Sequence, residues 1–423
     1  MGNTQWVLIL AVFGLAIGCG GGKDNGTAGG ASAGDSGVVT FADDVKFLEE
    51  HMNDLVVLGG GDGPAIAVAP AYQGRVMTST SNAKSGVGNG FINYEFIKSG
   101  ELVPHINVFG GEDRFWIGPE GGQFGIFFKE GDEFIFDDWQ TPELIDTAPY
   151  AVVSQSETEV SFEASGTLEN YSGTVFNVGI ERSVRLLDAD DVERFLGVRP
   201  SEKLSMVAYE SKSTLSNTGD TAWTRETGLL SIWILGMFKH SDTTVVTMPF
   251  IAGSEEDLGK KVNDEYFGKV PEDRLVVRDD VLFFKADGAY RSKIGIGPQR
   301  ARSFVGSYDP WRQLLTIVEY TLPEGATDYV NSMWELQDEP YGGDVVNSYN
   351  DGPPSEDEPP LGPFYELESS SPAIAIGPGE SVTHFHRTFH FIGPQPQLQE
   401  IATATLGVDL NLVIAAMAGG VRG

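Results

Sequence analysis

Apolar positions along this chain change their spacing twice. From Trp6 to Ile17 they run unbroken (WVLILAVFGLAI). Such a run is short for a bilayer span and has the length of a signal-peptide core. From Phe41 the spacing turns helical, through Val45, Leu48, Met52 and Leu55. Thr40 in front of that run, with Asp43 three residues on, predicts an N-cap. Beyond it the pattern becomes short β-like runs broken by Gly, Pro, Asn and Asp. They include Ala65 to Ala69, Phe124 to Phe128, Leu229 to Leu235, Val281 to Phe284 and Leu314 to Tyr320. Two further short helices are expected, one near Glu255 to Phe267 and one after Pro396, through Gln399 and Ala402.

No repeat of fixed period, second hydrophobic restart or long internal linker interrupts the chain after residue 38. The acidic run Asp351 to Pro360 (DGPPSEDEPP) reads as a polar loop, because strand-like sequence resumes at once. The 53 Gly and 22 Pro suit many short strands better than long helices. The expectation is therefore an all-β domain over residues 39–423, one large antiparallel sandwich with a few short peripheral helices.

Charge narrows the partners. With 28 Lys and Arg against 61 Asp and Glu, the formal net charge of −33 repels phosphate backbones, so no nucleic acid is expected. The glycine clusters at Gly59–Gly63 and Gly86–Gly90 lack the Lys-Ser pair of a phosphate loop, and the acidic loop lacks EF-hand spacing. No cofactor or metal is expected.

The single cysteine needs a reason. Leu15-Ala16-Ile17-Gly18-Cys19 resembles the bacterial lipobox, which implies a signal peptide over 1–18 and a lipidated Cys19. Residues 19–38, rich in Gly, Ala and Ser, read as a flexible tether. Gly20 follows the cysteine where an Asp would resemble inner-membrane retention, so an outer-membrane anchor is expected, with the lipid as the membrane contact.

Three segments, in order, resemble the galactose-mutarotase superfamily, which includes the aldose 1-epimerases. They are Gly110–Gln123 (GGEDRFWIGPEGGQ), Leu215–Gly219 (LSNTG) and Phe364–Phe391, containing ELESSSPA. GGEDRFW, YRSKIGIGP, VVNSYNDGP and ELESSSPA are most similar to a secreted branch of that superfamily. The resemblance implies a β-supersandwich that binds a carbohydrate, with Arg114 anchoring the sugar and Glu368 as base. In the second segment, Asn217 can hydrogen-bond a sugar hydroxyl or make an Asx turn. Where mutarotases carry a catalytic histidine after that asparagine, this chain has Thr218.

The residues support sugar chemistry on their own terms. Glu366 and Glu368 alternate along a strand and so share a face, where like charges raise one pKa. His384, His386 and His390 also share a face, opposite Phe385, Phe389 and Phe391. That pattern predicts a phenylalanine core and a histidine side meeting solvent or a cleft. His384 and His390 would stand about 20 Å apart, too far for one ion. His384 or His386 is the candidate acid in place of the missing histidine. Around Arg114, Glu112 and Trp116 offer an acceptor and a stacking ring for a pyranose. Asn347 and Asn350, read as part of a turn, offer hydrogen bonds to hydroxyls or make Asx turns. Two functions remain open: an enzyme of epimerase, lyase or hydrolase type, or a non-catalytic carbohydrate-binding lipoprotein.

Overall fold

A computed structural model describes residues 38–355 and 358–417. The apolar leader, Cys19 and the tether lie outside them, as do 418–423. The first described element is the helix Phe41–His51. Thr40 caps it, and its hydroxyl and the Asp43 carboxylate satisfy each other's backbone N–H groups.

Strands dominate from there. A ten-stranded antiparallel sheet runs, edge to edge, Leu275–Val277, Val281–Lys285, Val245–Pro249, Phe304–Asp309, Leu314–Tyr320, Ser381–Ile392, Ser205–Asn217, Val175–Leu186, Glu159–Glu169 and Ala151–Gln155. A five-stranded antiparallel sheet runs Ser292–Ile296, Val346–Asn350, Phe364–Ser370, Ser231–Lys239 and Arg114–Gly118. A small third sheet, Val56–Gly59, Ala65–Ala69 and Arg75–Thr80, packs beside the helix Phe41–His51.

The large sheet is covered on both faces. One side of its centre, Phe389, Phe391, Ala208, Leu315 and Ile317, packs beneath the helices Ala189–Leu196, Gln395–Thr405 and Leu410–Met417. The opposite side meets the five-stranded sheet, where Ser369 reaches across to two histidines. Double coverage explains why the long strand Ser381–Ile392 buries Phe389 and Phe391 on one side and its imidazoles on the other. Among the described residues no single helix is long and apolar enough to cross a membrane.

Three local expectations are corrected. Phe124 to Phe128 is a chain of turns rather than a strand, because Gly121, Gly122 and Gly125 interrupt it and its rings join an aromatic cluster. The helix near Glu255 stops at Leu258, where Gly259 adopts a positive φ of 71°. Asn347 and Asn350 belong to a strand, not a turn; cross-strand pairing on both sides overrides their turn preference.

Candidate active site

Sheet register assembles the site. Arg114 pairs with Leu235, and Leu235 pairs with Glu368; Glu366 pairs with Met237 and Tyr349. Directly paired residues point to the same side of a sheet. One face therefore collects Arg114 and Trp116, Trp233, Glu366 and Glu368, Asn347 and Tyr349, and Lys293 from five different strands. It is the face turned away from the ten-stranded sheet.

The side chains form a tight polar array. Arg114 Nη2 donates to Glu366 Oε1 at 3.1 Å, and the guanidinium lies 4.2 Å over the Trp116 ring. Glu368 Oε2 accepts from Trp233 Nε1 at 3.0 Å and from Lys293 Nζ at 2.8 Å. Trp116 and Trp233 meet edge to face at 5.6 Å. Glu120 accepts from Trp334 Nε1 at 3.1 Å and lies within electrostatic reach of Lys293, Glu368 and Arg114. Tyr266 donates to Asp344 and accepts from Asn347 Nδ2 at 3.1 Å.

Hydrogen-bonding capacity is left over there. Glu368 Oε1, Arg114 Nε and Trp116 Nε1 are buried with no protein partner. Three such groups, within one array, are what a hydroxyl-rich ligand would satisfy.

Burial sets the protonation. It pushes the Glu366 carboxyl up to about 7, Glu368 adds to the rise, and Arg114 opposes it. Burial likewise raises Glu120 and Asp344. A protonated Glu366 beside Glu368 is an acid–base pair in one frame. The raised pKa also fixes a stability trend. Between the ordinary carboxylate range and about 7, the folded chain holds a proton that the unfolded chain has lost. Stability from this group is full at low pH and falls as pH rises through about 7, by on the order of 3 kcal/mol. Denaturant melts from pH 5 to pH 8.5 should show that decline, and Glu366→Gln should flatten it.

Other residues singled out by sequence lie elsewhere. His384 and His386 are on the far side of the five-stranded sheet from Glu368, hydrogen-bonded to Ser369 Oγ at 2.8 and 2.9 Å. They face the inter-sheet interior, not solvent or a cleft. Burial depresses their pKa values to about 3 and about 4, so both rings are neutral. Glu112 lies in the same interior, 2.7 Å from His390 Nε2. Asn217 shapes a turn: its Oδ1 accepts from Gly219 N at 3.0 Å and its Nδ2 donates to Thr221 O at 2.8 Å. Asn350 points to the opposite face from Asn347 and holds Gly288 N and Tyr290 O. Of the predicted residues, the fold brings Arg114, Trp116, Asn347 and Glu368 together.

Lys293, Trp233, Glu120, Tyr266 and Asp344 were missed as site residues. Lys293 carried a readable signal, a cation two residues after Arg291 and on the face opposite Ile294 and Ile296 in a strand-like run. The other four have no such mark.

No curated protein sequence matches this chain. Among solved structures, it is similar in fold to a galactose mutarotase-like protein from Lactobacillus casei. The identity is 9% and the TM-score 0.45, covering 80% of this chain and 100% of that one. It is also similar to a galactose mutarotase related enzyme from Lactobacillus acidophilus, at 8% identity and a TM-score of 0.41, covering 79% and 97%. The profile of one sequence family matches residues 39–417, and the chain belongs to that family, a family of unknown function (DUF6786).

Proposed function

We propose that this protein is an exported, lipid-anchored protein that performs acid–base chemistry on a carbohydrate at the face bearing Glu366 and Glu368. The observation that carries the reading is the convergence of Arg114, Glu366, Glu368, Lys293, Trp116 and Trp233 on one side of one sheet. The sequence resemblance to the mutarotases supports it, because Arg114 and Glu368 are the two positions that resemblance assigns to the sugar.

The chemistry follows from the array. Ring opening, epimerisation and glycosidic cleavage all need a proton removed at one oxygen or carbon and one supplied at another. Glu368, held by Trp233 and Lys293, takes the proton; Glu366, protonated up to about 7, supplies one. Arg114 Nε and Trp116 Nε1 bind hydroxyls, and the indole faces stack on the apolar side of a pyranose. The test is turnover across a glycan panel, wild type against Glu368→Gln; equal rates remove Glu368 from the mechanism.

A second reading is a carbohydrate-binding protein without turnover. It is favoured by one fact: the two candidate imidazoles, His384 and His386, lie on the other side of the sheet from Glu368. Saturable glycan binding with no product by chromatography selects it.

The anchor has its own test. Cys19→Ser should move the protein from the membrane fraction to the soluble fraction of a Gram-negative host and abolish labelling by a fatty-acid probe. Membrane retention unchanged by that substitution would remove the lipid anchor.

A further inference from the structure

Exposure changes along the Glu366–Glu368 face from one end to the other. At the Trp116 end the face is sealed: Trp116 packs among Phe127, Trp139 and Trp233, and all four rings are buried. At the other end stands Phe267, 47% exposed. A single exposed apolar side chain is ordinary on a protein surface. This one differs in two respects.

It continues the face. Tyr349 pairs directly with Glu366 on one neighbouring strand and with Lys293 on the other. The Tyr349 ring meets the Phe267 ring at 5.9 Å. One residue therefore links the proposed acid to the exposed ring. Tyr266, the residue before Phe267, already belongs to the array through Asp344 and Asn347. Consecutive side chains of one loop thus serve the enclosed part of the face and its open end.

Phe267 is also held in place. Its loop is fastened to the strand Ser292–Ile296 by a pair of backbone bonds between Asn263 and Gly295, at 2.9 and 2.8 Å, and Val270 N closes it on Asp264 O at 3.1 Å. The Arg291 guanidinium lies 4.2 Å over the Phe267 ring. A ring fixed before the ligand arrives loses little freedom on binding.

The apolar face of a pyranose packs on such a ring, and the neighbouring guanidinium offers N–H groups to hydroxyls. A sugar held by Arg114 and Trp116 has its contacts toward the sealed end and leaves Phe267 uncovered. The net charge of −33 disfavours a polyanionic chain. We propose that Phe267 is the platform of a second sugar subsite, so that this face takes a neutral oligosaccharide rather than a single sugar. The inference rests on the reading that a sugar occupies the Glu366–Glu368 face.

The experiment is calorimetric titration of the full chain, near pH 6, with matched pairs: glucose against cellotriose and maltotriose, mannose against mannotriose, xylose against xylotriose. For at least one pair the trimer should bind about tenfold more tightly than its monosaccharide, the scale of one stacked ring. In Phe267→Ala that ratio should fall close to one, and in Phe267→Trp it should persist. Phe267 is exposed, so folding is not at stake, and an unchanged melting curve checks it. Arg114→Met reports separately on the underlying reading and should weaken monosaccharide and trimer alike. At that pH Glu366 keeps its proton, so the variant buries no unpaired carboxylate there. Equal affinity for both members of every pair, a ratio that survives Phe267→Ala, or one lost in Phe267→Trp as well would overturn the subsite and leave the sugar reading standing. Binding indifferent to Arg114→Met, or no binding by any pair, would overturn the sugar reading and the subsite with it.

Discussion

Glu368→Gln lowers turnover of a responsive sugar by about 10²–10⁴-fold, the range that one positioned acid–base group supplies. The substitution is chosen for what it preserves. A glutamine at 368 still accepts the Trp233 indole N–H, so the sheet face keeps its shape. Lys293 loses its anionic partner but is 13% exposed and can be solvated. Binding should change by only a few-fold, because Arg114, Trp116 and the other face residues remain. A loss of turnover with affinity intact separates chemistry from binding. Glu366→Gln should remove activity too, since an amide cannot donate the acid's proton. Wild-type activity should fall on the basic side as pH passes about 7, where Glu366 loses its proton.

The second large effect lies on the other side of the same sheet. Asp113 and Arg182 form an ion pair with both side chains fully buried. Asp113 also accepts from Ser211 Oγ at 2.7 Å, and Arg182 donates to Ser213 Oγ at 2.9 Å. Asp113→Ala leaves a guanidinium without its counter-ion in a dry interior. It should cost about 3–5 kcal/mol of unfolding free energy, read from denaturant melts. The double substitution Asp113→Leu with Arg182→Met should recover most of that, because a buried pair replaced by apolar groups of similar volume is often neutral. If Asp113→Ala alone melts like wild type, the pair is solvated and the inter-sheet interior is not dry.

Those two effects show what the sequence could and could not reveal. The alternation of Glu366 and Glu368 was visible because strand geometry needs only neighbouring residues. The meeting of Arg114 with Glu366, 252 residues apart, depends on the strand Ser231–Lys239 lying between theirs, and no local pattern encodes that. Here the family resemblance supplied what periodicity could not.

The histidines failed for the opposite reason. Alternation identified their shared face, yet a two-period pattern does not say what covers each side. Phe389 and Phe391 pack under helices, and His384, His386 and His390 pack under a second sheet. A serine on the facing sheet and a threonine on a neighbouring strand make that possible. Ser369 gives His384 and His386 a neutral partner, so those two are buried without charge, while His390 lies between Thr316 and Glu112. Asn217 and Asn350 illustrate the remaining ambiguity. Both hold backbone through the hydrogen bonds that could equally hold a hydroxyl, and only coordinates distinguish the two uses.

The central claim is that a sugar sits on the face shared by Arg114, Glu366 and Glu368. A crystal structure of the Glu368→Gln variant grown with the glycan that wild type turns over tests it most directly. The account predicts a pyranose against Trp116 or Trp233, with hydroxyls on Arg114 and on residue 368. A sugar seated elsewhere on the molecule, with that face empty, would contradict it.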